Sequence, residues 1–223
     1  LLSLWRGVGR GNLPVRRSRA SQQHRAKGQL GVGDSWREFF PNATATSANT
    51  SHPVSDSEVI RHMTDGSAFT AATITLSDLA AVGKREDTSG VLLRELLAGL
   101  GARLLPHIVL PDDREALRAK LIELADQADV ILTTGGTGIA PRDVTPEATL
   151  DVVERRLPGV EAALHLAGRE KVPTAILSRG VAGVRGRCLI VNLPGSPGGV
   201  RDGMGVLAPI LTHAVRLLRG EVR

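Results

Sequence analysis

The chain has 223 residues, 42% apolar and 23% charged, with a formal net charge of +5. That balance suits one domain plus an extra segment, or two small domains, and excludes a wholly disordered chain. No apolar run approaches the ~18–20 residues a helix needs to cross a bilayer, which excludes membrane-spanning helices, and a single cysteine, Cys188, excludes an intrachain disulfide framework or a thiolate zinc site and suits a reducing, cytoplasmic setting.

The charge is unevenly placed. Residues 1–62 hold 9 basic and 4 acidic side chains, whereas residues 63–223 hold 19 of each. The basic excess therefore lies entirely in the first 62 residues, and the neutral remainder argues against nucleic acid as its main partner. Residues 1–62 have no sustained helical or strand period and mix Arg, Gly, Ser, Asn and Thr, so they read as a disordered basic extension. Three origins compete: a basic arm for an anionic surface, an Arg-rich transit peptide, or upstream sequence that is not translated, since the chain opens on Leu1 and Met63 begins the compact part. Residues 63–223 read as one domain.

Within that domain strands and helices alternate. Residues 68–76 (AFTAATITL) form a buried strand. Residues 88–100 carry apolar side chains at 92, 93, 96, 97 and 100, one face of a helix. Residues 102–110 read as a second strand and 111–127 as a helix with Leu117, Leu121 and Leu124 on one side. Residues 129–133 form a short strand. Residues 145–156 form a helix with Thr145 as N-cap and Pro146 in its first turn. A weak strand covers Ile176 and Leu177, a stronger one 188–193 (CLIVNL), and a final helix runs over 196–218. This alternation predicts an α/β domain with a mainly parallel sheet covered on both faces.

Ligands of such sheets bind at the carboxyl ends of strands. Residues 133–147 (TTGGTGIAPRDVTPE) leave a buried strand through Thr134, Gly135, Gly136, Thr137 and Gly138. Glycine lets a ligand approach the backbone, and successive N–H groups in such a turn cradle an oxyanion. Arg142 adds a phosphate-matching fork, and Asp143 lies just before a helix. No Gly-Lys-Ser/Thr follows, which excludes a Walker A loop, and Pro141 interrupts any dinucleotide fingerprint. A second exit, Pro194, Gly195 and Ser196, precedes a helix start and is either an anion site or a cap. At a third, Ser77 and Asp78 either bind ligand or cap a turn. At a fourth, Asp112 either caps a helix with Glu115 or holds Mg²⁺ beside phosphate. Ser178 and Arg179 follow the weak strand, as a further phosphate contact or a surface loop. His107, His165 and His213 lie far apart without H-E-x-x-H, which speaks against a histidine metal site. Cys188 reads as a buried structural thiol and residues 168–171 as a solvated turn.

TLSD, EDTSG, LPDD, TTGGTG-x-x-PRDVTPEAT, PTAILSRG and NLPGSP follow one another in this order. Together they resemble the Mog and MoaB family of molybdenum-cofactor biosynthesis, over about residues 68–220. The resemblance implies a three-layer α/β/α sandwich, a homotrimer, and a molybdopterin adenylyltransferase that joins molybdopterin to Mg-ATP and releases pyrophosphate. It also implies a separate molybdate-insertion protein as partner. Carried over, Asp112 and Asp143 are the catalytic aspartates, one or both of them organising Mg²⁺. Ser77, Asp78, Thr134, Gly135, Gly136, Thr137, Gly138, Arg142, Ser178, Arg179, Pro194, Gly195 and Ser196 bind the substrates. Many relatives carry a serine-containing loop after the SD element, where this chain has LAAVG, and residues 1–62 have no counterpart.

The rival readings are a MoaB-like molybdopterin-binding protein without transfer activity, a different nucleotide enzyme on the same domain, and a nucleic-acid protein acting through the basic extension.

Overall fold

The computed structural model describes residues 68–222; the readings for residues 1–62, and the boundary after them, lie outside the described residues. Its centre is strand β1 (Phe69–Leu76), buried along its whole length. A strand covered on both faces shows no polar alternation, which is why FTAATITL reads as one apolar run. Helices α1 (Asp78–Ala81) and α2 (Thr88–Gly99) follow, then β2 (Ala102–Leu104), β3 (Ile108–Leu110), α3 (Arg114–Ala125) and β4 (Val130–Thr134). After them come α4 (Thr145–Leu150), β5 (Arg155–Arg156), α5 (Pro158–Lys171), a 3₁₀ turn (Pro173–Leu177), β6 (Ala182–Arg185), β7 (Cys188–Leu193) and α6 (Pro197–Arg219).

The sheet runs β2-β1-β4-β7-β6-β5, with β3 also on β1. The pairs β1–β2, β1–β3, β1–β4 and β4–β7 are parallel, whereas β7–β6 and β6–β5 are antiparallel at one edge. On one face Phe69, Ala71, Val130, Leu132, Val191 and Leu193 pack with Leu93 and Leu97 of α2 and Met204, Leu207 and Leu211 of α6. On the other, Ile74, Leu76, Ile131 and Ile190 pack with Leu117, Leu121 and Leu124 of α3 and Ala148 of α4. The result is the expected three-layer arrangement. Among the described residues Phe69 is the only aromatic side chain in the core, and each fully buried leucine or isoleucine contributes about 1.5–3 kcal/mol.

Several boundaries differ from the sequence reading. The expected strand 102–110 is two short strands, because Pro106 has no N–H to give to the β1 ladder. Both halves still pair along β1, Ala102 opposite Phe69 and Ile108 opposite Ile74. The expected helix 145–156 ends at Leu150, and Glu154 already donates its N–H to the Val184 carbonyl as β5 begins. Thr145 is not its N-cap: Val144 holds that position without a side-chain bond, and Thr145 is buried in the first turn. Residues 168–171 are no turn but the last turn of α5, a helix whose apolar stripe is diluted by Gly159 and Gly168. Ile176 and Leu177 lie in the 3₁₀ turn rather than a strand.

Cys188 is buried at the start of β7, and burial pushes its thiol up to about 12. It is an inert packing group.

Candidate functional site

The carboxyl ends of β1, β3, β4 and β7 come together at one end of the sheet. Thr134 donates its hydroxyl to the Pro194 carbonyl (2.8 Å), and the Gly135 N–H donates to the Leu193 carbonyl (3.1 Å), so the β4 and β7 exits are tied side by side. Gly135 has φ 99°, and a Cβ there would sit 2.3 Å from the Leu76 carbonyl oxygen of β1. Gly136 has φ 61°, with the Thr145 hydroxyl 2.5 Å from where its Cβ would be. Side chains are excluded at both positions, which leaves this backbone open to a ligand. Thr145 closes the loop by donating to the Gly135 carbonyl through its hydroxyl (2.9 Å) and to the Gly136 carbonyl through its N–H (3.1 Å). Behind it, buried Asn192 donates to the Thr133 (3.0 Å) and Thr149 (2.9 Å) hydroxyls and accepts from the Val181 N–H (3.0 Å). That satisfied network holds β4, β7 and α4 in one register.

Two clefts flank the loops 135–138 and 194–196. The smaller, about 250 Å³ and mainly polar, is lined by Ser77, Asp112, Thr134, Gly135, Gly136, Asp143 and Gly195, together with Thr75, Arg85, Glu86, Asp87 and Ser89. The larger, about 600 Å³ and mainly apolar, is lined by Thr137, Gly138, Ser178, Pro194 and Ser196, with Leu164, His165, Leu177 and Asp202 among its other walls. Twelve of the fifteen sequence-predicted site residues therefore face one cleft or the other; Asp78, Arg142 and Arg179 line neither.

Asp112 and Asp78 are cross-linked through their backbones. The Asp78 N–H donates to the Asp112 carboxylate (3.3 Å) and the Asp112 N–H donates to that of Asp78 (3.1 Å). Asp112 is not the helix cap; Asp113 caps α3 by accepting from the Ala116 N–H (2.8 Å). Burial, and the charges of Asp78 and Asp143, push the Asp112 carboxyl above its usual range, while the Asp78 N–H and Arg142 pull partly back. A cation placed between Asp112 and Asp143 would reverse that balance. Asp143 uses one oxygen to accept from the Ala140 N–H (2.8 Å), shaping its own loop. Among the described residues no three His, Cys, Asp or Glu side chains cluster as a metal cage. Two carboxylates facing a phosphate-sized cleft fit Mg²⁺ that arrives with phosphate oxygens, the usual manner in which Mg²⁺ is held.

The arginines depart from the sequence reading. Arg142, expected to grip phosphate, forms a fork onto Asp78 (2.7 and 2.9 Å), so Asp78 is the partner of an arginine rather than an open hydrogen-bond acceptor. Arg179 staples the glycine-rich loop. Its backbone N–H donates to the Thr137 carbonyl (2.7 Å) and its guanidinium to the carbonyls of Gly138 (2.7 Å) and Asp143 (2.8 Å) and to Glu147. Ser178 donates its hydroxyl to Thr137 (3.2 Å), and Ser77 and Ser196 cap α1 and α6.

The Arg179 hydrogen bond holds the Glu147 carboxyl below its ordinary value of 4.5. A depressed carboxylate contributes stability above its unfolded value and loses it as pH falls through the folded one. In Glu147→Gln the thermal midpoint should therefore fall less than in the wild type as the solution is acidified below about 4.5. Parallel melting curves across that range would show it. Identical acid profiles would mean that the pair adds nothing to stability, as for many exposed ion pairs.

Two groups escaped the sequence reading. His107 contacts Asp87 (2.7 Å), Thr73 (2.8 Å) and Thr75 (3.3 Å) beneath the polar cleft. Burial alone would raise the Asp87 carboxyl, but hydrogen bonds from Thr75, the Gly90 N–H and His107 outweigh it and hold it low. Residues 87 and 107 are separated by α2 and β2, so no local pattern announced the pair. His165 Nε2 lies 2.6 Å from the Ser178 carbonyl and fixes the wall of the larger cleft.

Comparison with known proteins then adds a lineage. Residues 72–213 match the family model described as "Probable molybdopterin binding domain". The chain is 39% identical over 152 residues to a molybdopterin adenylyltransferase of Helicobacter pylori, covering 66% of this chain and 86% of that protein. A molybdopterin adenylyltransferase of Haemophilus influenzae is 40% identical over 136 residues, covering 58% of this chain and 68% of that protein. Among solved structures, the molybdopterin biosynthesis enzyme MoaB of Thermus thermophilus is 45% identical with a TM-score of 0.64, covering 68% of this chain and 97% of that one. The molybdopterin biosynthesis Mog protein of Mycobacterium ulcerans is also 45% identical with a TM-score of 0.64, covering 67% and 98%.

Proposed function

The chain belongs to the Mog/MoaB family of molybdenum-cofactor biosynthesis, and from that premise we propose that it is a molybdopterin adenylyltransferase. It joins ATP to molybdopterin, giving adenylyl-molybdopterin and pyrophosphate. The observation that carries this reading is the pair of clefts sharing one glycine-rich wall. The larger has the size and apolar lining of a site for a flat heterocycle. The smaller is too small for a whole nucleotide and is lined by carboxylates and hydroxyls, which suits phosphates and their cation.

In this arrangement the pterin lies in the larger cleft against Thr137, Gly138, Ser178, Pro194 and Ser196. Its terminal phosphate crosses the loop 135–138 toward the nucleotide. A phosphate oxygen of molybdopterin forms the new bond to the α-phosphorus of ATP, and the bond from that phosphorus to the β-phosphate oxygen breaks, its electron pair leaving with pyrophosphate. No protein nucleophile and no proton transfer is required, so the chain acts by positioning and by offsetting charge. Mg²⁺ supplies charge neutralisation at the phosphates. Asp112 and Asp143 hold it, Thr134, Gly135, Gly136 and Gly195 form the floor beneath the reacting phosphates, and Ser77 borders it. Asp78, Arg142 and Arg179 act from behind: one ion pair fixes the Asp112 loop and the other the loop 136–143.

The proposal extends to a homotrimer acting in the cytoplasm, with the product passing to a molybdate-insertion activity on a separate protein. Among the described residues no helix is long and apolar enough to cross a membrane.

The test uses the full chain with molybdopterin, Mg²⁺ and ATP labelled at the α-phosphate. Label should move onto the pterin in step with pyrophosphate release. Tight pterin binding without transfer would instead establish a binding protein of the MoaB kind.

A further inference from the structure

The substrates of the polar cleft are anions, yet Glu86, Asp87, Asp112 and Asp143 all line it. Mg-ATP keeps a net negative charge, so a cleft with this lining repels it unless a cation of the chain faces inward. The two arginines that the sequence put forward for that task are committed elsewhere, Arg142 to Asp78 and Arg179 to Glu147 and two loop carbonyls. Among the described residues Arg85 is the one basic residue that lines the cleft. It is exposed and makes no ion pair with any described residue.

The segment that carries Arg85 is anchored on both sides. The Gly83 N–H donates to the Ala80 carbonyl (3.0 Å) and the Lys84 N–H to the Leu79 carbonyl (2.9 Å). Two residues beyond, Asp87 is pinned by the Gly90 N–H (2.8 Å), the Ser89 hydroxyl (3.2 Å) and His107 (2.7 Å). Arg85 thus projects from a braced rim rather than a free loop. A planar guanidinium matches two phosphate oxygens at once.

We propose that Arg85 receives the β- and γ-phosphates of the nucleotide and then the departing pyrophosphate. This rests on the adenylyltransferase reading. Asp112 lies against Gly136 and Asp143 against Gly138, and the exposed Arg85 lines the same polar cleft as both carboxylates. The Asp87–His107 pair serves as its brace.

Two readouts on the full chain test this with Arg85→Met, which keeps the length and removes the charge, and Arg85→Lys, which keeps the charge and removes the fork. In steady-state transfer, Arg85→Met should raise the KM for Mg-ATP by about 10–100-fold, the scale of a lost charge-assisted pair, and leave the KM for molybdopterin within about threefold. Arg85→Lys should fall between it and the wild type. Independently of turnover, calorimetry with Mg-pyrophosphate should show binding by the wild type that weakens by a similar factor in Arg85→Met, with the melting temperature unchanged. If the wild type transfers no label yet shows this charge-dependent pyrophosphate binding, the adenylyltransferase reading fails and the anion site stands. If the wild type does not bind pyrophosphate, or Arg85→Met retains wild-type pyrophosphate binding and ATP KM, the assignment of Arg85 is overturned.

Discussion

Asp143→Asn should abolish adenylyl transfer while leaving the protein folded. Asparagine keeps an oxygen that can accept from the Ala140 N–H, so the loop geometry survives. What is lost is the negative charge beside Asp112. In the proposed mechanism Asp112 alone would then be left to hold the cation that offsets charge on the leaving pyrophosphate. Removal of a single preorganised electrostatic contact typically costs about 10²–10³-fold in turnover, and loss of a metal-holding carboxylate should reach at least that. Binding of molybdopterin should persist, because the larger cleft does not include Asp143. The measurement is label transfer beside pterin binding and a melting curve on the same preparation. Transfer within about threefold of wild type would remove Asp143 from the catalytic assignment. Asp112→Asn should behave alike, with one difference. Removing a half-buried carboxylate that lies near two others relieves repulsion, so this variant should melt no lower than the wild type.

Gly135→Ala should lose both stability and activity. The φ of 99° is a conformation L-residues rarely adopt, worth about 1–3 kcal/mol of strain. The added methyl would also meet the Leu76 carbonyl at 2.3 Å, and that obstacle is main chain of the central strand. No rotamer change relieves it, so the exits of β1 and β4 must separate. Strain and clash together should exceed about 3 kcal/mol, which for a domain of this size lowers the melting temperature by roughly 6–12 °C. Gly83→Ala is the control. Its φ is also positive, at 69°, but nothing lies within 4 Å of the new methyl, so it should lose only the conformational part. Equal losses in the two variants would show that the close approach at Gly135 is not as described.

The core of this fold was readable because burial is written into local pattern. β1, β4 and β7 are runs of apolar and β-branched residues, and α2, α3 and α6 carry their apolar side chains on one face. The glycine-rich exit of β4 stood out for a similar reason, since consecutive glycines and threonines after a buried strand have few structural uses. The breaks were less legible. Pro106 splits a strand without ending its pairing to β1, and α5 hides behind two glycines.

Cap and partner assignments failed where neighbouring residues compete. Asp112 and Asp113 are chemically equal in sequence, yet the second caps α3 and the first faces the cleft. Thr145 looked like a cap and is instead the buried lock on the Gly135 and Gly136 carbonyls.

The sequence by itself determined the layer pattern, the mainly parallel sheet and the loops that gather at its carboxyl end, because hydrophobic periodicity and glycine's backbone freedom act over a few residues. Only the tertiary structure decided what the charged side chains do. Arg142 meets Asp78 across 64 residues of chain, Arg179 meets Glu147 across 32, and His107 meets Asp87 across 20. Ion pairing depends on distance in space, and those distances exist only once the strand exits lie side by side. That packing also left Arg85, rather than either expected arginine, lining the polar cleft with no ion pair to any described residue.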